Sequence, residues 1–299
     1  MRLVTYDRGG ERRLGAWIAE GVVDLPDAIG HPAFPTTMEG LLHRNGGTVL
    51  NAAYEALDKP DVLDFLVQRA KLLVPVLPSS LRDFLAFEDH VKHGAKRRKT
   101  SVPEVWYEMP IYYKGNHRTV IGPAATVEWP SFTKKLDYEC EVAAVIGKHG
   151  RDLSVQQAER AIFGYTLMND WSARDIQARE MTGWLGPAKG KDFATSLGPC
   201  IVTADELGLS SVRLEARVDG EVWSKGSLDG MRWSFAEMIA HVSQGEDVWP
   251  GDVYGSGTFG GGCGLDLGRF LEPGQVVELE ATGIGVLRNR VGKPAPKRR

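Results

Sequence analysis

Several protein classes are excluded by what this sequence has little of. Its three cysteines, Cys140, Cys200 and Cys263, are odd in number and form no C-x-x-C pair, which argues against a disulfide framework. No H-E-x-x-H pair is present, so the helical zinc-protease signature is missing. No apolar run approaches the roughly 20 residues that a bilayer crossing needs. The first ten residues, MRLVTYDRGG, are polar and charged rather than a signal peptide. With reduced thiols, that reads as a cytoplasmic protein. Neither sign of charge dominates: 36 Lys+Arg against 39 Asp+Glu leave a net −3, and no general pull toward nucleic acid or an anionic membrane follows. Internal repeats of 20 to 50 residues are also lacking.

What is present is ordinary for a globular protein. Hydrophobic residues make up 42% and charged residues 25% of a 299-residue chain, long enough to bury a sizeable core. MRLVTYD and GAWIAEGVVDLP alternate apolar with polar around a Glu20-Gly21 turn, the pattern of a hairpin. Helical patterns follow over 37–45 and 49–69, the second interrupted by Pro60. LLVPVLP, ending at Pro78, reads as an extended connector. It divides a small N-terminal α+β domain, 1–72, from a larger body, 73–292, with a loose basic tail over 293–299. Strands are expected near 137–147, 164–169, 199–203, 211–218, 276–281 and 284–289. Helices are expected near 82–93, 155–163, 172–180 and 234–243. Ser154 and Ser234 suit N-caps, and Ser172 with Asp175 suits a capping box. Many strands, few helices and no β-α alternation give an α+β, β-rich fold rather than a doubly wound sheet.

The segment 136–147, LDYECEVAAVIG, raises a question of charge. Asp137, Glu139 and Glu141 occupy alternate positions of an otherwise apolar strand and so share one face. Burying them costs several kcal/mol each unless something neutralises them. That face is either open to water or carries a cation. Asp170, at the end of GYTLMND, is a fourth acid at a strand end. Asp83 and His90 in SLRDFLAFEDHVKHG stand seven residues apart, two turns if the segment is helical, and then share a face. An all-oxygen set suits a hard divalent ion such as magnesium, manganese or calcium.

GYTLMNDWSARDIQ, with KLDYECE, RDFLAFEDH and GSGTFGG, resembles the fumarylacetoacetate hydrolase family over roughly 73–292. The N-D-x-S-A-R-D-x-Q element is the most specific part of the match. The resemblance implies a mixed β-sandwich roll of the family's C-terminal type, a homodimer, and a divalent metal, magnesium or else manganese or calcium. It implies Glu139, Glu141, Asp170 and Asp83 as metal ligands and His90 as general base. Lys191, Gln177, Tyr113 and Thr258 match positions that contact a small oxo-acid substrate. The activity implied is hydrolytic cleavage of a carbon–carbon bond in a short 1,3-dioxo acid, acylpyruvate or fumarylacetoacetate-like. The alternative is an isomerase, hydratase or decarboxylase of a related oxo acid or hydroxy-dienedioate. Met181 stands where the fumarylacetoacetate-cleaving branch has tyrosine. His93 stands where smaller relatives place a glutamate that orients the histidine, leaving Glu88 or Asp89 as substitutes.

The basic run Lys96, Arg97, Arg98 and Lys99 is either a lid, with Arg98 meeting a substrate carboxylate on closing, or a solvated charged loop. Trp184, between Gln177 and Lys191, is placed to wall the substrate pocket, whereas Trp171, Trp223 and Trp233 read as core or interface. GSGTFG formally fits G-x-G-x-x-G, but GGCGLDL rather than a helix is expected after it, so no nucleotide site follows. Cys263 is read as packing.

Overall fold

The computed structural model of the chain describes residues 1–44 and 47–294. Asn45, the end of one expected helix, and 295–299 of the expected tail lie outside them. Two sheets carry the architecture. The larger has ten strands. Its path runs Gly21–Asp24, Glu11–Ile18, Arg2–Arg8, Thr195–Thr203, Ile162–Asp170, Cys140–Ile146, Val253–Gly255, Leu81–Phe84 and Tyr112–Gly115, with Val120–Ile121 beside Thr195–Thr203. The smaller has five: Glu221–Ser227, Arg213–Val218, Val276–Ala281, Gly285–Pro294 and Thr126–Trp129.

The large sheet is covered on both faces, which explains why Cys140–Ile146 is buried throughout. Val142, Ala144 and Ile146 share a core with Leu214, Ala216, Leu279 and Leu287 of the smaller sheet. Ala143 and Val145, of opposite parity, share a second core with Met38, Leu41 and Leu42 of the N-terminal helix Met38–His43. Such two-sided burial gives a continuous apolar run instead of clean alternation. It also means that Glu141, of the same parity as Ala143, is carried inside the protein.

Most expected strands form with ends shifted by a few residues, but the one expected over 137–147 breaks at Tyr138 and Glu139 into Leu136–Asp137 and Cys140–Ile146. The segment 82–93 does not form one helix. Leu81–Phe84 is a buried strand, parallel to Val253–Gly255 and antiparallel to Tyr112–Gly115. The helix Glu88–Arg98 begins only afterwards. Asp83 and His90 are therefore brought together by a strand-to-helix corner, not by a shared helical face. Lys96, Arg97 and Arg98 close that helix, with Lys99 as its left-handed cap at φ 57°. Three cations in a last turn complement the negative end of the helix dipole, so the basic run is a helix end rather than a loop.

Ser154 and Ser234 make full capping boxes with Gln157 and Glu237. Ser172 and Asp175 do not: Ala173 caps the helix Arg174–Glu180. Asp175 turns back to accept from Thr133 Oγ1 and, at 2.9 Å, from the Lys134 amide. Of the helical pattern expected over 49–69, only Gly47–Leu57 is α-helix; beyond Pro60, which lacks the amide a continuing helix needs, there is only a 3-10 turn, Val62–Phe65.

The N-terminal hairpin joins the large sheet through Arg2↔Val202 and Leu3↔Ile201. Asp24, at the end of its third strand, ties it together. It accepts from Tyr6 Oη, from Arg8 at 2.6 Å, and from Arg13 Nε at 3.0 Å and Nη2 at 3.1 Å. It also caps the next helix through the Asp27 amide at 2.9 Å. Burial alone would raise the Asp24 pKa, but the bonds from Arg13 and Tyr6 outweigh it and hold the carboxyl below its usual range. A depressed folded-state pKa gives stability that is complete above the unfolded value of about 4 and is lost as pH falls through the folded one. We expect Asp24→Asn to lower stability at pH 7 by about 2 kcal/mol in urea unfolding, with the difference from wild type shrinking at strongly acid pH. A constant difference from pH 7 down to pH 2 would contradict this linkage.

Candidate functional site

Neighbouring strands of the large sheet place the acids of the site. Glu141 lies on Cys140–Ile146, opposite Met168, and Asp170 ends the adjacent strand Ile162–Asp170. Asp83 lies on Leu81–Phe84, and the short strand Val253–Gly255 runs between it and Glu141. Glu139 precedes its strand and bridges to Cys263. Carboxylate oxygens of Asp83, Glu139, Glu141 and Asp170 all come within 4.8 Å of one another, and all four residues are buried. The face that carries Glu139 and Glu141 is thus buried rather than a solvated sheet edge.

Asp137 does not join this cluster. It accepts from Arg174 Nε at 2.7 Å and from the amides of Gly264 and Leu265 at 2.8 and 2.9 Å. Those amides open a short helix, Gly264–Leu267, directly after the glycine-rich turn. The expectation of no helix there is corrected, yet its N-terminus is already taken by Asp137. Arg174, which the residue patterns left without a role, joins Asp137 to Glu139, the latter at 2.7 Å through Nη2. Lys191 donates to both Glu139 and Asp170.

Five buried acids, Asp83, Asp137, Glu139, Glu141 and Asp170, thus face two buried cations, Arg174 and Lys191. The imbalance shows in their titration. Burial opposes ionisation of Glu139, but Arg174 and Lys191 hold its carboxyl low. Burial pushes Asp170 up against the pull of Lys191. Asp83 and Glu141, farther from these cations, are driven well above the ordinary range, by burial first and then by neighbouring carboxylates. Burial opposes the charge on Lys191, but Asp170 and Glu139 more than restore it. Two buried oxygens of the cluster, Glu141 Oε1 and Asp170 Oδ1, have no hydrogen-bond partner among the described residues. Excess negative charge with orphaned oxygens is the donor chemistry of a hard divalent cation, and the cluster fits one.

Backbone completes the cradle. The Gly257 amide donates to Glu141 Oε2 at 3.0 Å and Asp83 Oδ1 at 3.2 Å. A Cβ on Gly255 would stand 2.6 Å from Asp83 Oδ1 and 3.0 Å from Glu141 Oε2, so only glycine lets the carboxylates meet across that strand.

A cavity of about 1130 Å³ opens onto the cluster. Asp83, Glu139, His90, Tyr113, Gln177, Lys191, Thr258 and Arg98 all line it. Tyr113 Oη donates to Asp170 Oδ2 at 2.8 Å, Gln177 accepts from Arg174 at 3.0 Å, and Thr258 donates to the Cys140 carbonyl at 3.1 Å. Trp184 is not brought in: it is 94% exposed, outside the cavity wall, while Met181 and Leu185 line it.

His90 is oriented by a residue that the sequence did not suggest. Its Nδ1 lies 2.8 Å from Asp266 Oδ2, and Asp266 also accepts from Arg97 at 2.7 Å and the Gly261 amide at 3.1 Å. Burial works against ionisation of Asp266, but His90 and Arg97 keep its carboxyl far below the usual range. Glu88 is occupied elsewhere, with Tyr107 and Lys92, so the substitute expected from the neighbouring sequence is replaced by Asp266. No local pattern links it to His90, since the two are 176 residues apart.

A family model for the fumarylacetoacetate (FAA) hydrolase C-terminal domain matches residues 80–292. The mitochondrial oxaloacetate tautomerase of Rattus norvegicus is 32% identical over 296 residues, covering 93% of this chain and 86% of its own. An oxaloacetate tautomerase of Bacillus subtilis is 32% identical over 209 residues, covering 69% of this chain and 67% of its own. The solved fumarylacetoacetate hydrolase from Exiguobacterium antarcticum superimposes with a TM-score of 0.78 at 27% identity, covering 98% of this chain and 99% of that one.

Two thermal measurements test the cluster. Saturating manganese should raise the wild-type Tm by about 5 °C. Glu141→Gln should abolish that rise while leaving the chelator-treated protein as stable as wild type or more so, because a buried repulsion is relieved. Equal destabilisation with and without manganese would mark the acids as a purely structural network. Gly255→Ala should lose the manganese effect as well, and an undiminished rise in Tm would show that the strand crossing is not tight.

Proposed function

The chain belongs to the fumarylacetoacetate hydrolase family, and from that premise we propose a divalent-metal-dependent hydrolase that cleaves a carbon–carbon bond in a short 1,3-dioxo acid. Acylpyruvates and fumarylacetoacetate-like compounds are the substrate class. The observation that carries this reading is the His90–Asp266 pair, a base held by a buried carboxylate beside a cluster of acids. Asp266 is ionised and can only accept, so Nδ1 of His90 carries the shared proton and Nε2 is left free.

In this reading Asp83, Glu139, Glu141 and Asp170 hold magnesium, manganese or calcium, which when bound polarises the carbonyl and steadies enolate charge. His90 takes a proton from water through Nε2, and Asp266 stabilises the imidazolium that results. The hydroxide adds to a carbonyl carbon, and the bond from that carbon to the neighbouring CH₂ breaks. One fragment leaves as a carboxylic acid. The other leaves as an enolate and recovers the proton from His90. Lys191 offsets charge on the carbonyl oxygen during addition. Tyr113, Gln177 and Thr258 position the substrate, and Arg98 meets its far carboxylate from the helix end.

Tautomerisation of an oxo-diacid is the second reading, favoured by the likeness to an oxaloacetate tautomerase across 93% of this chain. It moves one proton between carbon and the carbonyl oxygen and needs a base but no water. Isomerisation, hydration or decarboxylation of related oxo acids would use the same residues.

Product analysis by proton NMR separates these readings. Purified protein with magnesium is offered an acylpyruvate, oxaloacetate and a hydroxy-dienedioate. Cleavage of the acylpyruvate into two acids is the expected result, with kcat reduced about 100- to 10,000-fold in His90→Ala and less severely in Asp266→Asn. Keto–enol exchange of oxaloacetate with no cleavage of any substrate would replace hydrolysis by tautomerisation.

A further inference from the structure

Beside the carboxylate cluster stands a group of different chemistry. Donor atoms of His90, Cys263 and Asp266 all lie within 4.8 Å of one another. Cys263 and the Asp266 side chain are fully buried, and His90 faces the cavity. A fourth donor meets the same carboxylate: His93, about one turn along the helix from His90, places Nδ1 3.1 Å from Asp266 Oδ2. One nitrogen, one sulfur and one oxygen thus converge from the helix Glu88–Arg98 and the corner at Gly264–Leu267, with the His93 imidazole beside them on the same carboxylate.

This is not the donor set of the neighbouring cluster. Magnesium and calcium select oxygen, whereas mixed imidazole, thiolate and carboxylate ligands select a borderline cation such as zinc. Zinc bond lengths of about 2.0–2.3 Å place tetrahedral donors about 3.4 Å apart. The 2.8 Å His90–Asp266 contact would open slightly, and the separations among His90, Cys263 and Asp266 would close by no more than about 1.4 Å. Arg97 opposes a cation here, but it grips Oδ1 at 2.7 Å, leaves Oδ2 facing the two imidazoles, and is 37% exposed, so it is free to turn toward water.

We propose that His90, Cys263 and Asp266, with His93 alongside on the same carboxylate, form a second divalent-cation site, selective for zinc over magnesium and separate from the four carboxylates. Zinc enters in exchange for the Cys263 thiol proton, which is released to water, while the His90 proton now shared with Asp266 moves from Nδ1 to Nε2 so that Nδ1 can bind the ion. Bound there it fixes the His90 ring. On the reading of His90 as the base, zinc then inhibits the enzyme without displacing the ion held by the carboxylates.

Cobalt(II) tests the site by a signal that needs no substrate, so its failure is distinct from failure of the proposed reaction. The protein is first saturated with magnesium, then titrated with cobalt. The expected result is a near-ultraviolet sulfur-to-cobalt charge-transfer band that saturates at one equivalent and is bleached by zinc. Cys263→Ser, checked by circular dichroism to be folded, should lack the band. Cys140→Ser and Cys200→Ser should keep it, and His93→Ala should weaken cobalt affinity about tenfold. Absence of the band from wild type, or its survival in Cys263→Ser, overturns the proposal.

Discussion

Mutual repulsion among buried carboxylates is the constraint around which this structure is organised. Asp83, the pair Glu139 and Glu141, and Asp170 come from three separate segments that become neighbours only in the folded sheet. A sheet covered on both faces buries them, with only Asp83 and Glu139 lining the cavity, so most of the field must be balanced from within. Arg174 and Lys191 balance part of it, and those two cations decide which acids stay ionised. Glu139 and Asp170 sit against a cation. Asp83 and Glu141 do not, and their rise in pKa records the charge that remains uncompensated.

The surrounding geometry follows from that field. Gly255 stands where a side chain would fill the space that the carboxylates use, and Gly257, at φ +76°, where one would strike the Phe84 carbonyl. Asp137 spends its charge on Arg174 and on the amides that open the Gly264–Leu267 helix. The same corner carries Asp266 to His90. One short stretch thus steadies the cation that serves the acid cluster and orients the imidazole beside it. The chemistry on either side of that corner differs in kind: hard oxygen donors on one side, nitrogen and sulfur on the other.

Much of this was readable in the sequence, for identifiable reasons. Alternation of Glu139 with Cys140 and Glu141 with Val142 is a local signal, and the cost of burying those acids made it conspicuous. Serine caps at Ser154 and Ser234 depend on three-residue spacing and fell in place. Asp83 and His90 were found on the wrong element, because a four-residue strand running into a helix has the same seven-residue separation as two helical turns. Asp175 was drawn to Thr133 and Lys134, distant partners that outweighed a capping pattern. Asp266 had no signal at all, since its relation to His90 exists only in three dimensions. Trp184 was weighed by chain position between two cavity residues, but a side chain at φ 63° points where the local turn sends it, into solvent.

The account stands or falls on the ion held among the four acids. Anomalous diffraction from crystals grown in saturating manganese measures this directly. It should give one strong peak within bonding distance of at least three of Asp83, Glu139, Glu141 and Asp170. Carboxylates joined to each other and to Lys191 alone, with manganese present but absent from their midst, would contradict the account.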